Sequence, residues 1–105
     1  MKVLRLNVEQ RALVVQLQTL LADYCGDEAA ARKVILAGLS WPMDTPGGYW
    51  QGLAVDWIEQ GATVDAEMVE LLDSIAVTEK LPQKLRHKSR AIVKQWRSKE
   101  HTAQP

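Results

Sequence analysis

Apolar residues recur at helical spacing along almost the whole chain, and no stretch alternates apolar with polar positions as a half-buried strand does. The first periodic segment runs from Val8 to Tyr24, with Leu13, Leu17, Leu20 and Tyr24 on one face and Leu6 in phase just before it. Asn7 suits its N-cap, and Gln10 stands three residues on, the spacing of a capping box. Gly26 suits the left-handed conformation that ends many helices. A second helix, capped by Asp27, opens with Glu28-Ala29-Ala30-Ala31 and reaches about Ala37, with Gly38 near its end. Its alanines favour helix intrinsically and admit a close neighbour. Ser40 to Gly48 holds two of the four prolines and two of the six glycines, which predicts a loop.

Helix 3 is expected over Tyr49 to Gln60, ending at Gly61, with Trp50, Leu53, Ala54 and Trp57 inward and Asp56 and Glu59 outward. Helix 4 starts after Thr63 or Asp65 and reaches about Ala76, its stripe made of Met68, Leu71, Leu72 and Ile75. Pro82 fits the first position of helix 5, which runs to about Lys99 with Leu85, Ile92 and Trp96 inward. Short connections between helices of this length imply an all-α domain, a compact bundle of about five antiparallel helices over residues 1–100. The tail, 101–105, is expected to be disordered.

Composition agrees with one globular core. The chain has 105 residues, too few for two domains, and 47% of them are hydrophobic. Phe is absent and four Trp take its place. Cys25 is the only cysteine, so no internal disulfide forms. Its place at the end of an amphipathic run suggests a half-buried structural thiol, and a reducing, cytoplasmic setting is expected. The charges near the start break up any signal-peptide core, and no segment approaches the ~18 apolar residues of a membrane span.

Little points to catalysis. No Cys-x-x-Cys or His-x-x-x-His occurs, His87 has no second soft ligand near it in sequence, and Gly47-Gly48 lacks the spacing of a phosphate loop. Glu67 and Glu70 look like a solvated helix face, not an acid–base pair. Ser89 and His87 fall on different faces of their helix. No enzyme activity, metal or cofactor is expected.

Charge changes the picture. The formal net charge is zero, yet residues 1–79 carry five basic and twelve acidic side chains, a net of −7, and residues 80–105 carry eight and one, a net of +7. At about 100° per residue, Arg86, Arg90, Lys94 and Arg97 share one side of helix 5, set opposite Leu85, Ile92 and Trp96. Glu67, Glu70 and Asp73 fall on the outer side of helix 4, and Asp56 and Glu59 on that of helix 3. Both ridges are ordinary as solvated faces. Like charges in register nevertheless repel by a few tenths of a kcal/mol per pair, which a partner of opposite sign relieves.

Three kinds of partner fit such ridges. One copy's basic ridge can dock on the acidic ridge of another copy or of a related domain, a head-to-tail contact that yields a homo-oligomer. The basic helix can instead follow nucleic-acid phosphates, although the acidic remainder opposes this and no base-reading motif is present. A scaffold dimer held by apolar residues such as Val15, Leu36 and Trp41 is the third.

The segment from Glu9 to about Ile75 carries a resemblance. It opens with Gln10-Arg11-Ala12-Leu13 through Leu20-Leu21-Ala22-Asp23-Tyr24, then Asp27-Glu28-Ala29-Ala30-Ala31-Arg32-Lys33 and Ala37-Gly38-Leu39. A Gly-Gly loop precedes Tyr49-Trp50-Gln51-Gly52-Leu53-Ala54-Val55-Asp56-Trp57-Ile58-Glu59-Gln60-Gly61, and an acidic helix with Leu71-Leu72 follows. In this order the segment resembles the effector-associated domains of bacterial conflict and signalling systems, including antiviral defence. The resemblance implies a death-domain-like helical bundle. It also implies an adaptor role, joining an effector such as a peptidase or NTPase to a partner bearing a like domain. The basic helix 5 lies outside the resembling segment.

Overall fold

The computed structural model of the protein describes residues 9–43 and 46–103. The described residues form five α-helices and no strand: α1 over 9–14, α2 (Glu28–Leu39), α3 (Tyr49–Glu59), α4 (Ala66–Ala76) and α5 (Gln83–Ala103). Asn7, Leu6 and Val8, expected to open the first helix, lie outside the described residues. So do Asp44, Thr45, Gln104 and Pro105.

Two caps fall where the sequence places them. The Asp27 side chain accepts the Ala30 N–H at 2.8 Å, and that of Asp65 accepts the Met68 N–H at 2.9 Å. Each satisfies one of the backbone donors that a helix start leaves open, worth about 1 kcal/mol. α3 stops at Gly61, whose φ of 118° is open to glycine and strained for other residues. Pro82 stands one place before α5, and its carbonyl accepts the Arg86 N–H at 3.0 Å. α5 continues through Ala103, past Lys99 and into the stretch expected as a tail.

The first helix departs most from expectation. It does not run unbroken to Tyr24. After α1 the chain tightens into a 3₁₀ turn at Val15–Gln18, becomes extended at Thr19 and Leu20, and makes a second 3₁₀ turn at Leu21–Asp23. The cause lies in α3. Trp57 is 1% exposed, and its indole N–H must find an acceptor inside the protein. It donates to the Thr19 carbonyl at 2.8 Å, an oxygen that a continued helix would have used itself. Gln60 completes the arrangement, its side-chain oxygen accepting the Leu21 N–H at 2.9 Å.

That break reassigns several nearby residues. Leu20, expected on the inner face, is 61% exposed. Gln10 donates to the Ala37 carbonyl at 3.0 Å and to the Ser40 hydroxyl at 3.1 Å, tying α1 to the end of α2; its expected capping-box partner, Asn7, lies outside the described residues. Gly26 is not left-handed. It is small because the Tyr24 ring lies where its Cβ would stand, about 2.5 Å away. Cys25 is exposed, not half-buried.

Val14, Leu17, Val34, Ile35, Leu39, Ala54, Val55, Trp57, Met68, Leu72, Ile75, Leu81, Leu85 and Val93 build one core shared by all five helices. α4 packs mainly on α5, and α2 on α3. The α2–α3 approach is closest at Gly38, where a Cβ would lie 2.6 Å from a Leu17 methyl, 2.9 Å from the Ala54 Cβ and 3.0 Å from the Trp50 carbonyl. The loop before α3 is fastened from within. Gln51, fully buried, donates to the Trp41 carbonyl at 2.7 Å and the Pro42 carbonyl at 3.3 Å.

Gly38→Ala tests this packing. Alanine is better in a helix by about 1 kcal/mol, but overpacking costs roughly 1–3 kcal/mol where backbone must yield. The expected outcome in urea denaturation is net destabilisation. A more stable variant would show that α2 and α3 are not in close contact.

Candidate interaction surface

The basic residues of α5 do not stand opposite its buried stripe. Ser89, fully buried, and Val93, 3% exposed, extend that stripe round from Leu85, while Ile92 and Trp96 are only partly covered. The stripe is thereby turned toward the side bearing Arg86, Arg90 and Arg97, which consequently leans on α4 and the turn before α5. A small hydroxyl residue in the core is what the apolar pattern could not reveal. The Ser89 Oγ and the Gln51 Oε1 are buried without a hydrogen-bond partner among the described residues.

Three of the four predicted basic residues act within the molecule. Arg97 pairs with Asp73 at 2.5 Å. Arg90 donates to the Ala76 carbonyl at 3.0 Å, the end of α4, where a cation also opposes the negative pole of the helix. Arg86 donates to the Leu81 carbonyl at 3.1 Å. Lys94 is exposed, with no such contact.

The predicted acidic residues divide in the same way. Asp56 and Glu59 both reach Lys88 on α5, at 3.4 and 3.0 Å. Glu67 pairs with Arg32 of α2 at 2.7 Å, and Arg32 also pairs with Asp65. The sequence pattern puts Glu67, Glu70 and Asp73 on one ridge, but the first and last stand roughly 120° apart round the helix at 100° per residue. Glu67 therefore turns to α2 and Asp73 to α5, leaving Glu70 exposed between them. Lys88 and Arg32, which between them bind three of these five acids and Asp65, were not singled out in the sequence. Arg32 had one signal: it is among the few bases of an acidic half.

These pairs shift the groups that form them. The hydrogen bond from Lys88 to Glu59 holds the lysine above its ordinary range, against a smaller loss from burial. At Asp65 burial opposes ionisation. The Met68 N–H and the Arg32 guanidinium outweigh it and hold the carboxyl below its ordinary range. The side chains are between 31% and 62% exposed, so each pair contributes about 0–1 kcal/mol.

With those cations engaged, the outer edge of α5 presents Lys84, His87, Ala91 and Lys94, all exposed, with no acid among them. Two grooves flank the loop from α3 to α4. One, of about 680 Å³, runs between that loop and α5, over Ile58, Val64, Ile92 and Trp96. The other, of about 640 Å³, lies between the loop and the start of α2. Among the described residues, no group of three or more His, Cys, Asp or Glu is placed to hold a metal ion. No helix among them is long and apolar enough to cross a membrane. No family model matches the chain, and neither a curated protein nor a solved structure matches it.

Asp65→Asn tests the network at the start of α4. Asparagine keeps the cap and loses the charge. A carboxyl held low in the folded state contributes stability above its ordinary pKa and loses it as pH falls through the lowered one. Denaturant titration should find the variant less stable at pH 7 by about 1 kcal/mol or less. That gap should close as the medium is made acidic. No gap at pH 7 would mean that Asp65 acts only through its cap, and a gap unchanged in acid would mean that its charge is not the source.

Proposed function

We propose that the domain is a non-catalytic protein–protein interaction module that associates with a like helical domain through opposed charges. One observation supports this reading above the others. After the internal ion pairs are made, the outer edge of α5 still carries Lys84 and Lys94 without an accompanying acid, and the exposed edge of α4 still carries Glu70. The contact set is therefore narrower than the sequence pattern suggests. Lys84 and Lys94 lead on the basic side, and Glu70 leads on the acidic side with Glu67 beside it.

Arg97 with Asp73 contributes at the margin, because an exposed pair worth less than 1 kcal/mol exchanges readily with a partner's, while Arg86 and Arg90 are held by the Leu81 and Ala76 carbonyls. The resemblance of residues 9–75 to effector-associated domains supports an adaptor role, with the chemistry belonging to the effector it joins. Such an edge can also follow phosphates. The acids of α2, α3 and α4 oppose that use, and salt-dependent oligonucleotide binding would favour it.

Charge reversal at Lys84→Glu with Lys94→Glu separates these readings, and Arg90 is spared because it also caps α4. Light scattering over a concentration series should find association of the unaltered protein that weakens as salt rises. The double variant should stay monomeric with its helicity intact. Association unchanged in the variant would overturn the charged-face reading, and so would an unaltered protein that stays monomeric at ~50 mM salt.

A further inference from the structure

The groove beside the start of α2 is walled by apolar groups and rimmed by acids, and neither feature belongs to the edges of α4 and α5 discussed above. Leu21, Tyr24, Ala31, Ile35 and Ala62 line it. Its shape is set in advance. Tyr24 is held between Gly26 and the Trp57 ring, whose centroid lies 5.0 Å from its own. Leu21 is fixed by the hydrogen bond to Gln60. Gly61, with its positive φ, turns the opposite wall.

The rim is acidic in sum. Asp27, Glu28 and Asp65 line the groove, and among the described residues Arg32 is the only cation there. Arg32 is already neutralised, bound to Asp65 and to Glu67. The start of α2 would by itself favour an anion. Asp27 occupies it by capping, and Glu28 adds a second negative charge in the first turn. An anionic ligand is thus repelled, and an apolar group bearing a cation is welcomed. The Tyr24 ring adds a face against which a guanidinium or ammonium is attracted.

We propose that this groove docks a short basic, amphipathic segment of a partner protein. An apolar side chain of that segment seats against Tyr24 and Ile35, and its Lys or Arg side chains meet Glu28 and Asp27. About 640 Å³ accommodates one or two large side chains, which matches an anchor and not an extended interface. This proposal does not rest on association between like domains, since none of the groove's residues lies on α5.

The test uses a fluorescent 12-residue peptide of Leu and Lys in helical register, followed by anisotropy against the full chain. Two control peptides carry Ser in place of Leu or Glu in place of Lys. The expected result is saturable binding of the Leu–Lys peptide alone, weakened at least tenfold by Glu28→Lys with Thr63→Arg. Both positions are exposed and neither supplies a cap, so circular dichroism should be unchanged.

Four results of the binding assay would overturn the proposal. They are no binding at 100 μM peptide (about 5 kcal/mol by the affinity scale), equal binding of the Ser–Lys peptide, binding unaffected by the double variant, and displacement by an equal concentration of spermidine. Equal displacement would assign the groove to a small organic cation. Self-association abolished by Glu28→Lys with Thr63→Arg but kept in Lys84→Glu with Lys94→Glu would assign it to a second copy and likewise overturn the proposal.

Discussion

Much of this fold follows from one indole N–H. Trp57 is the largest fully buried side chain, and a buried donor left unpaired costs roughly 1–3 kcal/mol. Neighbouring carbonyls on α3 are consumed by the helix itself, so the acceptor has to come from another segment. Thr19 supplies it by leaving its own helix. The chain then turns across α3, which carries Leu21 to Gln60 and Tyr24 to the Trp57 ring.

Electrostatics follows a related logic. The chain segregates charge along its length, and the fold brings the two halves together. Lys88 bridges two acids of α3, Arg97 meets α4, and Arg90 closes the end of α4. A charge block that looks like an external signal in one dimension thus serves in large part to dock a helix in three. What is left over, the lysines on the far side of α5 and the acids beside α2, is more informative than the total.

The number, type and order of helices were legible because apolar spacing and caps speak locally. Asp27, Asp65 and Gly61 did what residues of their kind do in such places. What was hidden depended on distant partners. No local rule announces that Thr19 must give its carbonyl to Trp57, or that Gln10 reaches the end of α2. Ser89 misled in the opposite sense: a polar residue in the core stripe turned α5 relative to its apolar pattern. Of the candidate surface, Lys94 and Glu70 stand exposed as expected. The other seven, of which Glu59, Glu67, Arg90 and Arg97 are exposed as well, hold partners within the same chain: Asp73 and Arg97 each other, Asp56 and Glu59 Lys88, Glu67 Arg32, and Arg90 and Arg86 the carbonyls of Ala76 and Leu81.

The order of helix pairing has a consequence for how the chain reaches this state. α2 with α3 and α4 with α5 are pairs of successive helices, each joined by a short connection. Local contacts of this kind form quickly, whereas contacts between distant segments carry a loop-closure cost. The first segment is the exception, since Thr19 and Leu21 find their partners 38 and 39 residues away. The two helical hairpins can therefore precede the docking of residues 9–24, and Trp57 stays incompletely satisfied until that segment arrives. The late step also finishes the groove wall, so the acidic groove matures only when the rest of the domain has assembled.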